Sequence, residues 1–432
     1  MKKFNTIIIG AGIAGITAGH ELKKNNISSI ILDKNSSWGG LLDNFTIDGY
    51  RFDKFIHMSF AKDKYVNDIF LKTPHYKRIP KIANYYKGFW IKHPAQNNLF
   101  PLNNDEKIKI LQDFKKRDDN SNKFGNYEDW LRFQYGNYFA ENFPMKYTKK
   151  YWTVNADMLE TKWVGNRMYR PSLKEIEKGC KSSDTPNTYY AKELRYPKKG
   201  GYKSFLKNIV KDLNIQQNSN VVSIDLKNKI LELSNAQKFK FDNLISSVPL
   251  TEIVNIIRNS PRDIVESAKK LNYTSGYLIS LGFNRVDIPK DLWFYIYDED
   301  ILPARVYSPS LKSVDNVPDG CSSIQAELYT NKGYQFKKSK NEILNNVIKK
   351  FIKMGLFKYE DLVVKDIRFE KYANIIFDHH IYENREKVLE YLNENSIISV
   401  GRFGEWEYYW SDQSMLSGRD GARKLILNKN YN

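Results

Sequence analysis

A glycine-rich turn directly follows the first apolar segment of the chain. Residues 6–9 read TIII, which predicts a buried strand, and residues 10–15 read GAGIAG, which has the spacing GxGxxG. A helical segment follows the glycines, and a second predicted strand at 29–32 ends on Asp33. Strand, glycine turn, helix and strand in this order are typical of a βαβ unit that binds a dinucleotide.

Each glycine of this motif has its own role in such a unit. Gly10 permits the tight turn, Gly12 lets the backbone approach a pyrophosphate, and Gly15 lets the helix pack closely on the strand. The start of the helix offers unpaired N–H groups and the positive end of the helix dipole. Asp33, 23 residues after Gly10, is placed to accept a hydrogen bond from a ribose hydroxyl. The cofactor-binding residues predicted in this unit are Gly10, Gly12, Ile13, Ala14, Gly15, Asp33 and Lys34.

A secretory signal peptide is the alternative interpretation of the same segment. Residues 1–3 read MKK, an apolar stretch follows them, and residues 18–20 resemble a cleavage site. The glycines at fingerprint spacing argue against this interpretation, and cleavage there would remove the phosphate-binding loop. We therefore expect the segment to stay in the folded protein.

Length, cysteine content and charge narrow the class of protein. A chain of 432 residues predicts two or three folding units. Two cysteines, Cys180 and Cys321, are too few for a disulfide framework or a thiolate zinc site, which favours the cytoplasm. The net charge of +18 attracts anions, but the lysines and arginines are spread along the chain, so no nucleic-acid partner is predicted. No apolar stretch approaches the roughly 18–20 residues that cross a bilayer, so no transmembrane segment is predicted either.

The predicted fold class is α/β, with a discontinuous Rossmann-like domain, a helical cap and a second sheet that is mixed or antiparallel. The cap segment is rich in aromatic residues and lysine, and its patterns predict helices at 105–114 and 127–139. The predicted segments are 1–75, 196–270 and 391–432 for the dinucleotide-binding domain, 76–195 for the cap, and 271–390 for the substrate-domain sheet.

Further motifs follow in order along nearly the whole chain. They are SWGGLL at 37–42, PAQNN at 94–98, YTKKYW at 147–152, WVGNR at 163–167 with PSLK at 171–174, YP at 196–197 with GG at 200–201, and GRFGEWEY at 401–408. Together with the glycine motif, this combination resembles FAD-dependent enzymes of the amine oxidase and protoporphyrinogen oxidase superfamily. More narrowly, it is similar to the UDP-galactopyranose mutase branch, especially its eukaryotic type.

The resemblance implies FAD as the cofactor and a nucleotide-linked sugar as the substrate. In that family, N5 of the reduced flavin attacks the anomeric carbon of a UDP-sugar, UDP leaves, and the sugar recloses as a furanose without net redox change. This chemistry asks for cations on the diphosphate and for stacking residues around the uracil and the sugar.

Site residues can be assigned position by position from the resemblance. Arg167, Arg305 and Tyr408 correspond to diphosphate-binding residues and, with the flavin-facing His57, form the predicted catalytic set. The predicted substrate-binding residues are Gln96, Thr148, Trp152, Arg167, Arg305 and Tyr408. Predicted flavin contacts beyond the first motif are Gly39, Gly40, Leu41, His57, Val222, Ser247, Arg402, Asp412, Gln413 and Met415.

Two departures from the family pattern bear on the reaction. The family has two glycines before the flavin-facing histidine, whereas Phe55 and Ile56 precede His57 here. Two bulky residues would reshape or partly fill the space in which a sugar meets the flavin. A second diphosphate-binding tyrosine of the family is replaced by Ala373 or Asn374, which would weaken phosphate recognition on one side.

Three functions remain open on the sequence. The leading hypothesis is an FAD-dependent enzyme that isomerises or otherwise transforms a nucleotide-linked sugar for surface polysaccharide synthesis. The alternatives are an FAD-dependent oxidoreductase of the amine oxidase or protoporphyrinogen oxidase type, and a flavin-binding protein without catalysis. No metal site is predicted, because the adjacent His379 and His380 would point to opposite faces of an extended segment. The absence of a GxSxG motif disfavours a serine hydrolase.

Overall fold

A computed structural model describes residues 1–117, 124–165, 167–186, 188, 191–334 and 336–430 of the chain, with side chains up to residue 427. Its strands are β1 (Lys2–Ile9), β2 (Ser29–Leu32), β3 (Asn44–Ile47), β4 (Tyr50–Asp53), β5 (His75–Arg78), β6 (Ile82–Tyr86), β7 (Phe89–Lys92), β8 (Leu194–Pro197), β9 (Ile215–Gln216), β10 (Val221–Asp225), β11 (Ile230–Leu233), β12 (Lys238–Ser246), β13 (Tyr273–Phe283), β14 (Trp293–Ile296), β15 (Arg305–Tyr307), β16 (Ser322–Asn331), β17 (Leu362–Ile375) and β18 (Ile397–Ser399).

The helices alternate with these strands at the two ends of the chain and cluster in the middle. They are α1 (Ile13–Lys24), α2 (Lys64–Phe70), α3 (Asn104–Lys116), α4 (Tyr127–Tyr135), α5 (Asn137–Asn142), α6 (Pro144–Tyr151), α7 (Leu173–Lys181), α8 (Lys207–Val210), α9 (Leu250–Ile256), α10 (Arg262–Lys270), α11 (Pro309–Lys312), α12 (Lys340–Lys353), α13 (Ile381–Glu394) and α14 (Ser411–Asn430). None of the described helices is long and apolar enough to cross a membrane.

The first sheet is the dinucleotide-binding sheet. Its strand order is β10-β11-β12-β1-β2-β9, and β18 also pairs with β12. The strands β12, β1, β2, β9 and β18 run parallel, and helices cover both faces of the sheet. Successive residues at the ends of β1 and β2 are therefore all apolar and buried, instead of alternating between buried and exposed. The sheet thus brings together segments from the start, middle and end of the sequence, as the discontinuous arrangement required.

The second sheet is mixed, with the strand order β17-β13-β16-β15-β14-β6-β7. Most neighbours are antiparallel, while β14 and β6 run parallel. All eleven residues of β13 are buried because it lies between β16 and β17 and is covered on both faces. The predicted α/β fold class with a second mixed or antiparallel sheet is confirmed.

The cap segment differs from the sequence expectation in two respects. The single helix predicted at 127–139 is wrong, because α4 ends before Gly136 and α5 begins after it. Gly136 has φ +75°, and a Cβ there would lie 2.9 Å from the carbonyl carbon of Asp113, so the chain turns at a position that needs glycine. The segment 76–195 also supplies β6 and β7 to the second sheet, while its boundaries as a separate domain stay a prediction.

Candidate functional site

A cavity of about 1340 Å³ runs from the glycine motif to the second sheet. Gly10, Asp33 and Ser247 of the dinucleotide-binding sheet line one part of it. Residues from the cap and from β15 and β16 line the other part, and many of them are aromatic. The cavity volume exceeds what most single small ligands need, which is consistent with a cofactor and a substrate in one continuous space.

The three motif glycines meet different surroundings. A Cβ on Gly10 would lie 2.4 Å from Ser247 Oγ, and a Cβ on Gly15 would lie 2.0 Å from the Gly10 carbonyl oxygen. At Gly12, by contrast, a Cβ would meet nothing within 4 Å. The protein's own packing therefore excludes side chains at Gly10 and Gly15, while Gly12 borders open space at the start of α1.

Two loops lie side by side at this end of the cavity. Asp33 Oδ2 accepts a hydrogen bond from the Ala11 backbone N–H at 2.6 Å, which ties the end of β2 to the glycine turn. The Gly39 N–H donates to the Ala11 carbonyl at 2.8 Å. A Cβ on Gly40 would lie 3.2 Å from the Gly12 Cα, so the second glycine pair is packed against the first.

Two helix N-termini meet the cavity. The N-cap of α1 is Gly12, whose lack of a side chain leaves the first N–H groups of the helix without a side-chain cap. The first turn of α14 contributes Ser411, Asp412 and Ser414 to the cavity wall. Burial raises the pKa of the Asp412 carboxyl. Helix N-termini carry partial positive charge, so both ends favour an anionic ligand such as a phosphate.

Most residues predicted to bind the cofactor lie on the cavity wall. Those are Gly10, Gly12, Ile13, Ala14, Asp33, Lys34, Gly39, Gly40, Leu41, His57, Val222, Ser247, Arg402 and Asp412. Gly15, Gln413 and Met415 do not line the cavity. Met415 is fully buried in the core beside α1, and Gln413 Oε1 accepts from the Trp410 N–H at 2.9 Å, so these two act through packing and helix capping. Direct cofactor contacts stay predictions for the whole set.

His57 is held by backbone carbonyls. Its Nε2 lies 2.9 Å from both the Leu41 and the Lys54 oxygens, and its ring stacks on Tyr202 at 5.2 Å. Because both partners are acceptors, Nε2 must carry the hydrogen. Burial lowers the pKa of the imidazole, which favours the neutral form with an unprotonated Nδ1.

Phe55 forms part of the cavity wall in an unusual backbone conformation. Its φ is +64°, in the left-handed region that favours glycine and costs a bulky residue about 1 kcal/mol or more. The ring stacks on Tyr329 with centroids 6.2 Å apart and planes at 5°. Gly276 on β13 makes room for it, since a Cβ there would lie 2.6 Å from Phe55 Cε1. The Phe55 ring thus packs on the second sheet. It lies in the region where the sequence predicted that bulky residues reshape or partly fill the cavity.

Glu327 links Arg305 to the segment before His57. Its carboxylate accepts from Arg305 Nε at 2.8 Å and from the Tyr329 hydroxyl at 2.6 Å on one oxygen, and from the Ile56 N–H at 2.8 Å on the other. The Glu327 side chain has no exposed surface. Sequence reasoning missed Glu327, although a carboxylate inside the buried strand β16 is the kind of signal that marks a paired charge.

Tyr408 lies between two of the predicted ligand-binding arginines. The Arg167 guanidinium is 4.6 Å from the centre of the Tyr408 ring, and that of Arg402 is 4.9 Å from it. Arg167 also donates to the Tyr408 carbonyl at 3.0 Å. The structure therefore brings these three residues together, while Asn166 of the same motif lies outside the described residues.

The remaining predicted substrate residues also line the cavity. Trp152 packs 5.5 Å from Tyr408, between ring centres. Thr148 is buried one turn before it at the end of α6, and Gln96 Nε2 donates to the Tyr169 carbonyl at 2.9 Å. All three residues line the cavity, but a substrate contact stays a prediction for each.

A buried ion pair fixes the strand that leads into His57. Lys312 Nζ lies 2.6 Å from Asp53 Oδ2, and neither side chain is exposed. Asp53 also accepts from the Tyr196 hydroxyl at 2.6 Å and from the Tyr202 N–H at 3.1 Å. Several buried polar groups therefore hold the start of segment 54–57 in place.

His93 is expected to make the stability of the protein depend on pH. Burial lowers the pKa of its imidazole to about 3, from 6.5 in an exposed histidine. Below about pH 6.5 the unfolded chain therefore binds a proton that the folded chain does not, and stability falls by up to about 1.4 kcal/mol per pH unit. The unfolding free energy of His93→Gln, from urea titrations between pH 5 and pH 8, should show a correspondingly smaller loss. Parallel curves for the two proteins would contradict this.

Metal-ligand side chains do not converge in the described part of the chain, where no group of three or more His, Cys, Asp or Glu side chains is placed to hold a metal ion. His379 instead contacts the Asp157 carbonyl through Nε2 at 2.8 Å and the Glu160 carboxylate through Nδ1 at 3.5 Å.

Comparison with known proteins supports the dinucleotide-binding unit. Residues 8–72 match the family of NAD(P)-binding Rossmann-like domains. A stretch of 53 residues is 47% identical to the 1-hydroxycarotenoid 3,4-desaturase of Flavobacterium sp. (strain P99-3), over 12% of this chain and 10% of that enzyme. The match spans about a tenth of the length of this curated relative. It concerns one segment and not the whole enzyme.

Similarity over the whole chain is found in three-dimensional structure. A crystal structure of reduced UDP-galactopyranose mutase superposes with a TM-score of 0.91 over 98% of this chain and 96% of that chain, at 23% identity. The chain has the fold of UDP-galactopyranose mutase. The expected resemblance is thereby confirmed at the level of the fold.

Enzymes of other activities share this fold more distantly. Putrescine oxidase bound to putrescine superposes with a TM-score of 0.67 at 14% identity, over 98% of this chain and 99% of that chain. A fatty acid isomerase from P. acnes superposes with a TM-score of 0.64 at 14% identity, over 98% of this chain and 99% of that chain. The fold therefore serves both oxidation and isomerisation, and the choice between them depends on the residues of the cavity.

Proposed function

We propose that the protein is an FAD-dependent enzyme that acts on a nucleotide-linked sugar, as a pyranose–furanose isomerase of the UDP-galactopyranose mutase type. The observation that carries this proposal is the continuous cavity that is lined at one part by the glycine turn and at another by Arg167 and Arg305. A dinucleotide fits the first part, and an anionic sugar nucleotide fits the second.

The residues at the first part fit FAD. The open space beside Gly12 leaves room for the pyrophosphate. The two helix N-termini supply positive potential, and the Asp33 carboxylate can accept a hydrogen bond from a ribose hydroxyl. The residues that would hold the cofactor are those of the wall from Gly10 to Ala14, Asp33, Gly39 to Leu41, Val222 and Ser247. Reduced FAD, when bound, supplies the nucleophile that the proposed isomerisation needs.

Gly12→Val is expected to separate cofactor binding from folding. No protein atom lies within 4 Å of the added Cβ, and the backbone of Gly12 (φ −74°, ψ 177°) is extended and suits valine, so the unfolding free energy should change by about 1 kcal/mol or less. The valine side chain would occupy the space of the pyrophosphate. Flavin content after purification should therefore drop at least about tenfold, while thermal unfolding of the apoprotein stays close to that of the wild-type apoprotein.

Gly15→Val provides the contrast for this experiment. Its Cβ would lie 2.0 Å from the Gly10 carbonyl oxygen, so this variant is expected to lose the fold as well as the flavin. A Gly12→Val protein that keeps a full complement of flavin would contradict the proposed position of the cofactor.

The arginines and aromatic rings perform the substrate part of the proposed reaction. Arg167 and Arg305 bind the diphosphate and stabilise the charge that develops on UDP as the leaving group. Trp152 and Tyr408 stack against the sugar nucleotide and exclude water from the reacting carbon. His57 uses its Nε2–H on backbone carbonyls, so its role in the proposed reaction is to hold segment 54–57 in place.

The test of this function uses the flavin in both redox states. The holoprotein is reduced chemically under anaerobic conditions, incubated with UDP-galactose and a panel of other UDP-sugars, and followed by NMR of the anomeric protons beside an oxidised control. New furanose signals in the reduced sample alone are expected. Their absence with every sugar would contradict the isomerase proposal.

Oxidoreduction is the second candidate, and the apolar wall formed by Phe55 and Tyr329 favours it. Phe55, two residues before His57, makes this part of the wall apolar, which suits a substrate that is oxidised at a C–H bond. The same oxidised control tests this candidate, because a substrate of an oxidase bleaches the flavin anaerobically. No change in either redox state, together with stably bound flavin, would favour the flavin-binding protein without catalysis.

A further inference from the structure

Asn374 presents a buried hydrogen-bond donor that has no acceptor. It lies near the end of β17 on the cavity wall, and only 4% of its surface is exposed. Its amide nitrogen Nδ2 is buried and has no hydrogen-bond partner. A buried donor that makes no hydrogen bond costs about 1–3 kcal/mol. An acceptor on a bound ligand would recover that free energy.

The orientation of this amide follows from its partners. Asn374 Oδ1 accepts from the Arg402 guanidinium at 3.1 Å and from the Tyr151 hydroxyl at 3.0 Å. Arginine can only donate, so the atom that faces Arg402 must be the oxygen. Turning the amide over would place two donors against each other. The nitrogen is therefore the atom left for a ligand.

The charges around Asn374 indicate the chemistry of that ligand. Arg402 donates hydrogen bonds to Asn374 Oδ1 and, at 3.3 Å, to the Tyr409 carbonyl, and both of these acceptors are neutral. The Nε of Arg402 is a second buried donor without a partner. The ring of Tyr151, whose hydroxyl donates to Asn374 Oδ1, lies 5.7 Å from the Arg305 guanidinium. Unpaired donors beside positive charge favour an oxyanion.

We propose that Asn374 is a substrate-binding residue whose Nδ2–H donates to a phosphate oxygen of the nucleotide-linked substrate. This inference rests on the proposed function, in which the second part of the cavity takes a sugar nucleotide. In this role Asn374 supplies a neutral donor beside Arg402, and it offsets the loss of phosphate recognition that the sequence at 373–374 indicated.

The substitution Asn374→Asp distinguishes the role of the amide oxygen from that of the amide nitrogen. An aspartate keeps the oxygen that accepts from Arg402 and Tyr151, and it replaces the nitrogen with a second, negatively charged oxygen. A residue whose only role is to hold Arg402 and Tyr151 would tolerate this change. A residue that donates to a phosphate would not, because the donor is lost and the new charge repels the ligand.

The measurement is titration of the FAD-loaded protein with UDP, and in parallel with inorganic pyrophosphate, by calorimetry. We expect Asn374→Asp to weaken UDP binding by about 100-fold, the size of a lost hydrogen bond to a charged group, with thermal stability equal to or above wild type. The matched control is Asn235→Asp, an exposed turn residue that carries the same charge change and keeps its Gln237 N–H contact. Asn374→Ala, which removes the donor without adding charge, should weaken binding by about tenfold.

The outcomes separate this inference from the proposed function. Wild-type protein that binds UDP, with an Asn374→Asp variant that binds equally well, would overturn the role of Asn374 and leave the function intact. Unchanged UDP binding with altered flavin retention or an altered flavin absorption spectrum would also overturn it, because the acceptor would then be the cofactor. Wild-type protein that binds neither UDP nor pyrophosphate would overturn both.

Discussion

Lys312→Met is expected to destabilise the folded protein by about 3–5 kcal/mol, the usual cost of removing one partner of a buried ion pair. The Asp53 carboxylate would stay buried with its charge uncompensated, since neither side chain of the pair has exposed surface. The unfolding free energy is measured by urea titration of the FAD-loaded protein, followed by tryptophan fluorescence and far-UV circular dichroism.

The matched control for this prediction is an exposed pair of the same residue types. Lys64 and Asp68 are 2.8 Å apart on the surface of α2, so Lys64→Ala should change the unfolding free energy by less than about 0.5 kcal/mol. The double variant Lys312→Met with Asp53→Leu should recover only part of the loss, because the Tyr196 hydroxyl and the Tyr202 N–H would lose their acceptor. An unfolding midpoint of Lys312→Met equal to that of wild type would contradict the prediction.

The same pair is expected to influence the site. Asp53 directly precedes segment 54–57, and the Tyr307 hydroxyl lies 3.1 and 3.2 Å from the Asp53 and Phe55 carbonyl oxygens. If Lys312→Met folds at low temperature, we therefore expect a weaker hold on the flavin, since His57 belongs to that segment.

Arg305→Ala is expected to weaken UDP binding by about 100- to 1000-fold. Two charge-assisted hydrogen bonds to a diphosphate are worth about 3–4 kcal/mol together, which corresponds to this range. The substitution also leaves the buried Glu327 carboxylate without its cation, so part of the loss comes from a new negative charge beside the ligand. Calorimetric titration of the flavin-loaded protein with UDP gives the affinity directly.

A double variant separates the two causes. Arg305→Met with Glu327→Gln removes the guanidinium without leaving a carboxylate, so it should bind UDP more weakly than wild type but more tightly than Arg305→Ala. Arg285→Ala is the matched control, because Arg285 is an exposed arginine paired with Asp287 at 2.6 Å and does not line the cavity. Wild-type affinity in Arg305→Ala would contradict the assignment of Arg305 to the diphosphate.

The sequence by itself determined the dinucleotide-binding unit. Its signals are local: the spacing of Gly10, Gly12 and Gly15 and the distance to Asp33 follow from the geometry of one βαβ unit, in which neighbouring elements are consecutive in the chain. In the structure Gly10 and Gly15 leave no room for a side chain, and Gly12 faces open space. The helix break at Gly136 was missed because the close approach of Asp113 that requires glycine comes from another helix.

Only the tertiary structure decided which residues of the second sheet line the cavity together. Arg305, Glu327 and Asn374 lie on β15, β16 and β17, and their distances depend on how β13 and its neighbours pair, which is not encoded in any short segment. The family resemblance predicted Arg305 as a site residue, but the Glu327 carboxylate that pairs with it and the unpartnered amide of Asn374 follow from long-range strand register. The same pairing brings Gly276 beneath Phe55, so the shape of the cavity wall there depends on a contact between residues more than two hundred positions apart.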